Sequence, residues 1–237
     1  MKKQNILKTE YFDIEYNIIK SPKRKTMSII ISEDGEVIVR IPNWISDYEA
    51  KKFVFNKREW IVSKLMIFKK QKIPERKYVS GEKFLYLGKP YTLMIMEGNY
   101  GVGILDDFLY ISLKKDFFDN YDLKRNMVIK WYKTQAKKII NERLEYYSKI
   151  MKLQYGKVFI RDQKTRWGSC SGKNNLSFNY KIIMAPKRKL DYIIIHELAH
   201  IIYKHHQKSF WNYVEKYCED YQESRKWFRE NGRYLIL

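Results

Sequence analysis

The sequence is poor in cysteine and proline, and it contains no long hydrophobic run. Among its 237 residues there are 2 cysteines and 5 prolines. Two cysteines are too few for a disulfide framework, so a reducing cytoplasm is the simplest compartment. No apolar run approaches the length of a membrane span, and the amino-terminal residues lead into no apolar stretch long enough for a signal peptide. We therefore expect a cytoplasmic protein without a membrane segment.

Acidic residues are also scarce. The 27 aspartates and glutamates stand against 47 lysines and arginines, which gives a formal net charge of +20. Such an excess favours a polyanionic partner, so nucleic-acid association is one expectation. A lysine-rich solvated surface is the alternative explanation, and no zinc finger, helix-turn-helix or RNA-binding signature accompanies the charge. No pattern in the sequence indicates an oligomeric state.

Histidine is rare as well, yet all four histidines lie between positions 196 and 206. His196, Glu197 and His200 form the pattern H-E-x-x-H. On a helix, residues four apart lie about 40° apart around the axis and roughly 6 Å apart along it. Two imidazoles placed in this way can bind one zinc ion, with the glutamate beside the open position of the metal. The spacing therefore predicts a zinc-hydrolase site.

The segment around this motif favours a buried helix. Pro186 can stand near a helix start, where its missing N–H is tolerated. A mostly apolar run at 190–195 leads into the motif, and apolar residues continue at helical spacing to Ile202. Three consecutive isoleucines also suit a buried strand, but the continuation beyond Glu197 favours the helix. Polar residues in such a helix are costly without a partner, and a metal ion is the partner that this set of side chains needs.

A catalytic zinc site requires a third protein ligand. His206 follows the second motif histidine after five intervening residues, which matches zincins whose third histidine returns to the metal after the helix ends. The metzincin version has a glycine three residues after the second histidine, whereas this chain has Tyr203, so metzincin membership is not expected. His205 is the neighbouring candidate for the third ligand. Glu215 or Glu219 on a following helix would serve in a glutamate-type zincin.

Several longer segments carry a family pattern. They are I-R-D-x-K-T-R-W-G-S-C-S at 160–171, L-S-F-N-Y at 176–180, M-A-P at 184–186, D-Y-x-x-x-H-E-L-A-H at 191–200, and His206 followed by F-W at 210–211. These segments resemble the YgjP-like metallopeptidase family, which is related to the SprT-like zincins. R-K-T-M at 24–27 and D-G-x-V-x-V-R-x-P at 34–42 resemble the opening hairpin of the same family. The resemblance covers most of the chain.

The resemblance implies zinc ligation by His196, His200 and His206, with Glu197 as the catalytic base. The chain departs from the family pattern at Gln207, where a serine usually follows the third histidine. This departure does not touch the implied metal ligands.

Three residues of the matching segments are candidates for a supporting role. Arg166 and Asn179 are expected to support the metal ligands or to face the substrate, because they lie in the family-like region. Tyr180 is a further candidate of this kind, and Tyr180 and Arg166 are chemically able to stabilise an oxyanion, as are Tyr203 and His205. The sequence does not choose among these four donors.

The remaining patterns predict an amino-terminal region of strands with one helix. Alternating residues indicate a strand near 12–18, and a turn signal at 33–36 joins strands at 26–32 and 37–41 into a hairpin. Ser46 and Glu49 form a capping-box pattern, which predicts a helix from 46 to about 71. Further short strands are predicted at 85–87, 91–96, 101–105 and 108–113.

The carboxy-terminal half is predicted to be more helical. Apolar residues at helical spacing indicate one long helix ending near 152. Strands at 157–161 and 176–182 follow, and the second is our candidate for holding an extended substrate by backbone pairing. A last helix is predicted from about 207 towards 221. We therefore expect an α+β fold with a β-rich region at 1–118 and a zincin-like metal-binding catalytic domain with a small sheet at 119–237.

Three functions are compatible with these patterns. The leading one is a zinc metallopeptidase that cleaves an extended peptide or protein with a zinc-bound water activated by Glu197. A zinc-dependent hydrolase of nucleotides or other phosphoanhydrides is an alternative, which the positive charge favours. The lack of a Gly-rich phosphate loop and of a carboxylate cluster for magnesium opposes it. A non-enzymatic, zinc-stabilised, nucleic-acid-associated module is the third, although a closed structural site uses four ligands and needs no spare glutamate.

Overall fold

In the described residues, the chain folds into eleven strands in three small sheets and six α-helices. The computed structural model describes residues 5–32, 35–70 and 75–237, with the backbone alone over 67–70. Two compact units divide the chain, one ending at Pro74 and the other beginning at Glu75. The mixed arrangement, with strands dominating the amino-terminal part, confirms the predicted α+β class.

A four-stranded sheet and two helices form the first unit. Its elements are β1 (Asn5–Leu7), β2 (Ile14–Ser21), β3 (Ser28–Ile31), β4 (Val37–Pro42), α1 (Asp47–Asn56) and α2 (Arg58–Lys70). The strand order is β1-β2-β4-β3, with β2 and β4 parallel and the other pairs antiparallel. Ile31 pairs with Val37, so the predicted hairpin is present, although Glu33 and Asp34 of its turn lie outside the described residues.

The capping box predicted from Ser46 and Glu49 is present at the start of α1. The Glu49 N–H donates to the Ser46 hydroxyl over 3.2 Å, and the Ser46 N–H donates to the Glu49 carboxylate over 2.9 Å. The single helix predicted for 46–71 is instead two helices, because the backbone of Lys57 leaves the helical conformation with φ −104° and ψ 10°. Apolar spacing continues across the break and so could not reveal it. Gln71, the predicted end, lies outside the described residues.

The second unit begins with another sheet and a long helix. These elements are β5 (Lys83–Tyr86), β6 (Lys89–Glu97), β7 (Gly101–Leu105), β8 (Phe108–Leu113) and α3 (Tyr121–Met151). The strand order is β5-β6-β8-β7. Helix α3 buries one residue every four from Val128 to Leu144, which is the stripe expected of a helix packed along a core. Its end at Lys152, in the left-handed conformation with φ 53°, confirms the predicted end. None of the described helices, α3 included, is long and apolar enough to cross a membrane.

A three-stranded sheet and three helices complete the second unit. They are β9 (Val158–Arg161), β10 (Gly168–Cys170), β11 (Leu176–Asn179), α4 (Lys187–Ala199), α5 (Lys208–Glu215) and α6 (Tyr221–Asn231). The strand predicted for 176–182 ends at Asn179, and a 3₁₀ turn over Tyr180–Met184 leads to α4. The helix predicted from 207 towards 221 ends at Glu215, and α6 is an additional helix.

The order of the small sheet changes one expectation. Strand β11 pairs in parallel with β9 on one side and antiparallel with β10 on the other, so both of its edges are occupied. An extended substrate cannot add to a strand without a free edge. The assignment of 176–182 as the substrate-pairing strand is therefore wrong. In the described chain the edge strand next to the motif helix is β10, whose Gly168 lies against Glu197.

A turn of the second sheet is tied to the segment that precedes α4. The Leu87 N–H donates to the carbonyl of Ile183 over 2.7 Å, and the Gly88 N–H donates to that of Met184 over 3.1 Å. Gly88 has φ +83°, and a Cβ at this position would lie 2.9 Å from Pro186. Glycine is thus required here both by the backbone conformation and by the close approach of Pro186.

The same sheet shares its core with the long helix. Phe84, Leu93 and Ile111 of the sheet belong to one buried cluster with Val128 and Tyr132 of α3. Since these side chains exclude water together, the second compact unit starts before the sheet. Its boundary therefore differs from the one at residues 118 and 119 that the sequence suggested.

Candidate metal centre

Helix α4, which carries the H-E-x-x-H motif, is buried on most of its faces. Leu190, Ile194 and Leu198 are fully buried. Asp191 on the same helix is also buried, and its carboxylate accepts two bonds from the Arg143 guanidinium of α3, over 2.6 and 2.9 Å. Apolar burial and this ion pair hold α4 against α3, so the position of the motif is fixed by the core.

Three histidines converge at the carboxy-terminal end of α4. His196 lies in the last turn of α4, His200 is its final cap, and His206 comes from the loop before α5. One ligand nitrogen from each of the three lies within 4.8 Å of the others. Nε2 of His196 and Nε2 of His206 are 3.1 Å apart. The structure therefore brings together the three residues that the sequence selected as metal ligands.

Hydrogen bonds orient two of the rings from behind. Nδ1 of His200 donates to the carbonyl oxygen of Tyr203 over 2.8 Å, which leaves the lone pair on Nε2. Nδ1 of His196 lies 3.4 Å from the hydroxyl of Tyr192, one turn earlier on α4. Partners of this kind fix the tautomer and the direction of a ligand imidazole.

The start of α5 forms an apolar wall behind the cluster. Phe210 stacks on His200 at a centroid distance of 4.6 Å. Trp211 stacks on His206 at 5.6 Å, and its indole N–H donates to the backbone carbonyl of His206 over 3.0 Å. These contacts hold a histidine that belongs to no helix.

Burial lowers the pKa of all three imidazoles. The pKa of His196 falls to about 3, first through burial and then through the neighbouring histidines and Arg225. Burial is also the main cause that lowers the pKa of His200 and of His206. Metal ions bind neutral imidazole, so these rings are in the ligating form at neutral pH.

Glu197 supplies a buried carboxyl group beside the histidines. Glu197 is 4% exposed, and its Oε2 has no hydrogen-bond partner among the described residues. Burial raises its pKa to about 8, and the positive charge of Arg166 opposes the rise. The room for this side chain exists because residue 168 is a glycine, since a Cβ there would lie 2.5 Å from Oε1 of Glu197. A free carboxyl oxygen in such a place is suited to proton transfer.

Comparison with known proteins identifies the family of the chain. The model of the YgjP-like metallopeptidase domain matches residues 25–231. The chain belongs to the YgjP-like metallopeptidase family. Its members are metal-dependent peptidases, so the resemblance seen in the sequence is confirmed. No curated protein matches the chain.

Two solved structures show partial similarity to this YgjP-like protein. The metallopeptidase zymogen of Pyrococcus abyssi abylysin is 28% identical, with a TM-score of 0.36, and the match covers 41% of this chain and 99% of that one. The metallopeptidase zymogen of Methanocaldococcus jannaschii jannalysin is 25% identical, with a TM-score of 0.31, and covers 38% of this chain and 93% of that one. The similarity is thus confined to about two fifths of the YgjP-like chain.

The other candidates for the third ligand lie elsewhere in the YgjP-like domain. His205 is exposed, and its Nδ1 accepts a bond from the backbone N–H of Gln207 over 3.3 Å. Glu215 and Glu219 are exposed as well. In the described part of the chain, the one group of three or more His, Cys, Asp or Glu side chains able to hold a metal consists of His196, His200 and His206.

The three supporting candidates occupy different places. Arg166 is exposed on the loop before β10, within electrostatic reach of Glu197. Asn179 is buried and braces that loop, because its amide nitrogen donates to the Gln163 carbonyl over 2.7 Å. Tyr180 is buried in the main core, with its ring 5.5 Å from Nζ of Lys133 on α3. Among these, Arg166 is the one that bears on the site electrostatically.

Three residues at the site were missed as participants. Gly168 lies in the W-G-S-C segment of the family pattern. Only the fold shows that the lack of a side chain at this position makes room for Glu197. Tyr192 stands four positions before His196, a helical spacing that could have identified it as a partner. Arg225 lies on α6, which the sequence reading did not include, with its guanidinium carbon 4.2 Å from the centre of the Trp211 ring.

Proposed function

We propose that this protein is a zinc peptidase in which His196, His200 and His206 hold the metal and Glu197 is the catalytic base. The observation that carries the proposal is the meeting of three imidazole nitrogens within 4.8 Å beside a buried carboxyl group with a free oxygen. The two features are needed together to indicate a catalytic site. A structural zinc site is closed by four ligands and needs no additional carboxyl group.

The donor set fits zinc. Imidazole nitrogen is a preferred ligand of this borderline cation, and three protein ligands leave the fourth tetrahedral position for a reacting molecule. The hydrogen bond from His200 to the Tyr203 carbonyl leaves Nε2 as the available donor atom, which is the tautomer that a metal site requires. When bound, zinc acts as a Lewis acid that polarises a carbonyl group and acidifies water.

The residues of the chain supply proton transfer and positioning. Glu197 is the only motif residue without a ligand role, and its Oε2 is free to take a proton from the attacking water and return it to the leaving amine. Arg166 places a positive charge near that carboxyl group. It is our candidate for interacting with the negative charge that develops on the substrate oxygen.

An extended peptide can align along β10. This three-residue strand pairs with β11 on one side, and its other edge is free in the described structure. Backbone pairing with an edge strand binds a peptide with little regard for its side chains. Because Gly168 of β10 touches Glu197, a peptide on this edge would pass beside the proposed base.

The function is tested by measuring metal content and hydrolysis in the same samples. Wild type and Glu197→Gln would be assayed for zinc by mass spectrometry and for cleavage of a mixed peptide library and a panel of nucleotides. We expect one zinc per chain in both proteins and peptide cleavage in the wild type alone. Turnover of nucleotides without peptides would replace the peptidase with a phosphoanhydride hydrolase. A zinc-loaded Glu197→Gln variant that still cleaves would refute the role of Glu197.

A further inference from the structure

Helix α6 brings a cation close to the histidine cluster. The guanidinium carbon of Arg225 lies 4.2 Å from the centre of the Trp211 ring. That ring centre is in turn 5.6 Å from His206 and 5.7 Å from His196. A single indole ring therefore connects the guanidinium group to two of the three proposed metal ligands.

The charge of Arg225 is not neutralised by a carboxylate of the chain. No acidic residue stands three or four positions away on α6, so the usual helical ion pair is missing. Asp220, just before the helix, already binds Arg188 and Lys189. Within the described residues, the Arg225 guanidinium packs on the Trp211 ring and forms no ion pair. Its planar set of N–H donors is therefore available to a ligand.

Trp211 gives this cation a fixed position. Tyr221, one turn before Arg225 on α6, also stacks on the indole, with ring centres 5.2 Å apart and planes 15° apart. The indole N–H is in turn bonded to the His206 carbonyl. Stacking on a ring orients a guanidinium group, so less entropy is lost when it binds a planar anion.

Two further side chains near the centre, Lys204 and Arg166, are also cationic. The Lys204 ammonium donates to Ser171 and Asn174, over 3.3 and 2.9 Å, and both are neutral acceptors. Arg166 is exposed on the loop before β10. Glu197 is the carboxylate that the proposed chemistry uses. The three cations thus outnumber this one carboxylate, and an acidic substrate would balance the excess positive charge.

We propose that Arg225 binds a carboxylate of the substrate close to the scissile bond, so that the enzyme selects acidic peptides. This inference rests on the proposed peptidase function and adds the substrate class. The guanidinium group lies within the reach of roughly one to three residues of extended peptide, at about 3.3 Å per residue, from the histidines. A guanidinium fork binds a carboxylate in a bidentate manner. The carboxylate can belong to an aspartate or glutamate side chain, or to the carboxy terminus of the peptide.

Peptide binding to an inactive protein tests the inference directly. The probes are alanine-based octapeptides with one glutamate moved through each position, their glutamine counterparts, and versions with a free or an amidated carboxy terminus. Binding to zinc-loaded Glu197→Gln would be measured by calorimetry. At one or two positions we expect the glutamate peptide to bind about tenfold more tightly than the glutamine peptide. If the terminus is the ligand, the free-acid form alone gains this factor.

Two further substitutions in the same background locate the effect. Arg225→Gln should remove the preference, and Arg225→Lys should retain part of it, because lysine keeps the charge but lacks the planar fork. Lys226→Gln is the matched control. It removes one positive charge from the next residue, which lies about 100° around the helix axis from Arg225. It should leave the preference intact. Equal losses in Arg225→Gln and Lys226→Gln would assign the preference to diffuse charge and overturn the inference.

Cleavage by the wild type separates this inference from the proposed function. If zinc-loaded wild type cleaves glutamate and glutamine peptides at equal rates, and free-acid and amidated peptides at equal rates as well, the peptidase stands and the role of Arg225 falls. If the Arg225-dependent preference in binding is present but no peptide is cleaved, the peptidase function falls and recognition of the carboxylate stands. If no peptide binds or is cleaved, both are refuted.

Discussion

Gly168 lies so close to Glu197 that any side chain at position 168 would overlap the glutamate. A Cβ on Gly168 would lie 2.5 Å from Oε1 and 2.6 Å from Cγ of Glu197. Contacts this short cannot be relieved cheaply, because Glu197 is buried and β10 is paired with β11. The smallest residue on the strand therefore determines where the proposed base can lie.

We expect Gly168→Ala to lower peptide cleavage by about 100-fold while zinc is retained, since displacing a general base removes a contribution of about 10²–10⁴. Steady-state kinetics and zinc content would be measured on the same protein. Gly172→Ala is the matched control, because a Cβ there meets nothing within 4 Å. Full activity in Gly168→Ala would show that the carboxyl group need not occupy the observed position.

The two adjacent histidines provide a test of the third ligand. We expect His206→Ala to weaken zinc binding by more than about 100-fold. Substitution of a residue that only hydrogen-bonds to a metal ligand already lowers metal affinity by about 10–100-fold. His205→Ala should retain wild-type affinity, because His205 lies outside the cluster of three and its Nδ1 accepts from the N–H of Gln207. Competition with a chromogenic chelator measures both affinities. The reverse order of effects would transfer the ligand role to His205.

The buried imidazole of His196 should make the metal-free protein sensitive to acid. Its pKa is about 3 in the fold, while an unfolded histidine has a pKa of about 6.5, so the unfolded chain takes up the proton first as the pH falls. Stability is therefore lost below pH 6.5, by about 2 kcal/mol between pH 7 and pH 5 for one such histidine. Urea unfolding after chelation measures it. His196→Gln should show a shallower dependence, and an unchanged slope would contradict the assignment.

The ion pair between Arg143 and Asp191 should be a main support of α4. The two side chains are 14% and 13% exposed, and removing Arg143 would leave a buried carboxylate without its partner. We expect Arg143→Met to lower the free energy of unfolding by about 2 kcal/mol, below the range for a fully enclosed pair because some solvent reaches this one. Chemical denaturation provides the measurement.

Glu145→Gln is the control for that substitution. Glu145 forms an ion pair with Lys149 on the same helix, and both side chains are well exposed to solvent. Its loss should leave the denaturation midpoint unchanged, because exposed pairs contribute little. Similar losses for Arg143→Met and Glu145→Gln would mean that the bridge to α4 has no special role.

Features that depend on neighbouring residues were predicted well. The motif helix, the end of α3 and the capping box at Ser46 were all readable, because helical spacing and cap chemistry act over three or four positions. The convergence of His196 and His200 follows from the same geometry. His206 was placed by resemblance to a family and by its distance along the chain.

Features that depend on distant contacts were not readable. Gly168 and Glu197 lie 29 positions apart, and only the packing of β10 against α4 makes the glycine necessary. The sheet order that occupies both edges of β11 likewise arises from tertiary pairing. The additional helix α6 escaped notice together with Arg225. Zinc as the metal, the cytoplasmic location and an association with nucleic acid stay predictions.

The backbone bonds from Leu87 and Gly88 to the turn before α4 limit how the protein can be shortened. A fragment beginning at residue 119 would leave two carbonyl groups of that turn without their donors and uncover the apolar side of α3. A fragment that begins at Glu75, the start of the second compact unit, keeps these supports. In that fragment 121 of the 163 residues, 75–195, precede the first histidine of the cluster, so a large part of it serves to support one helix.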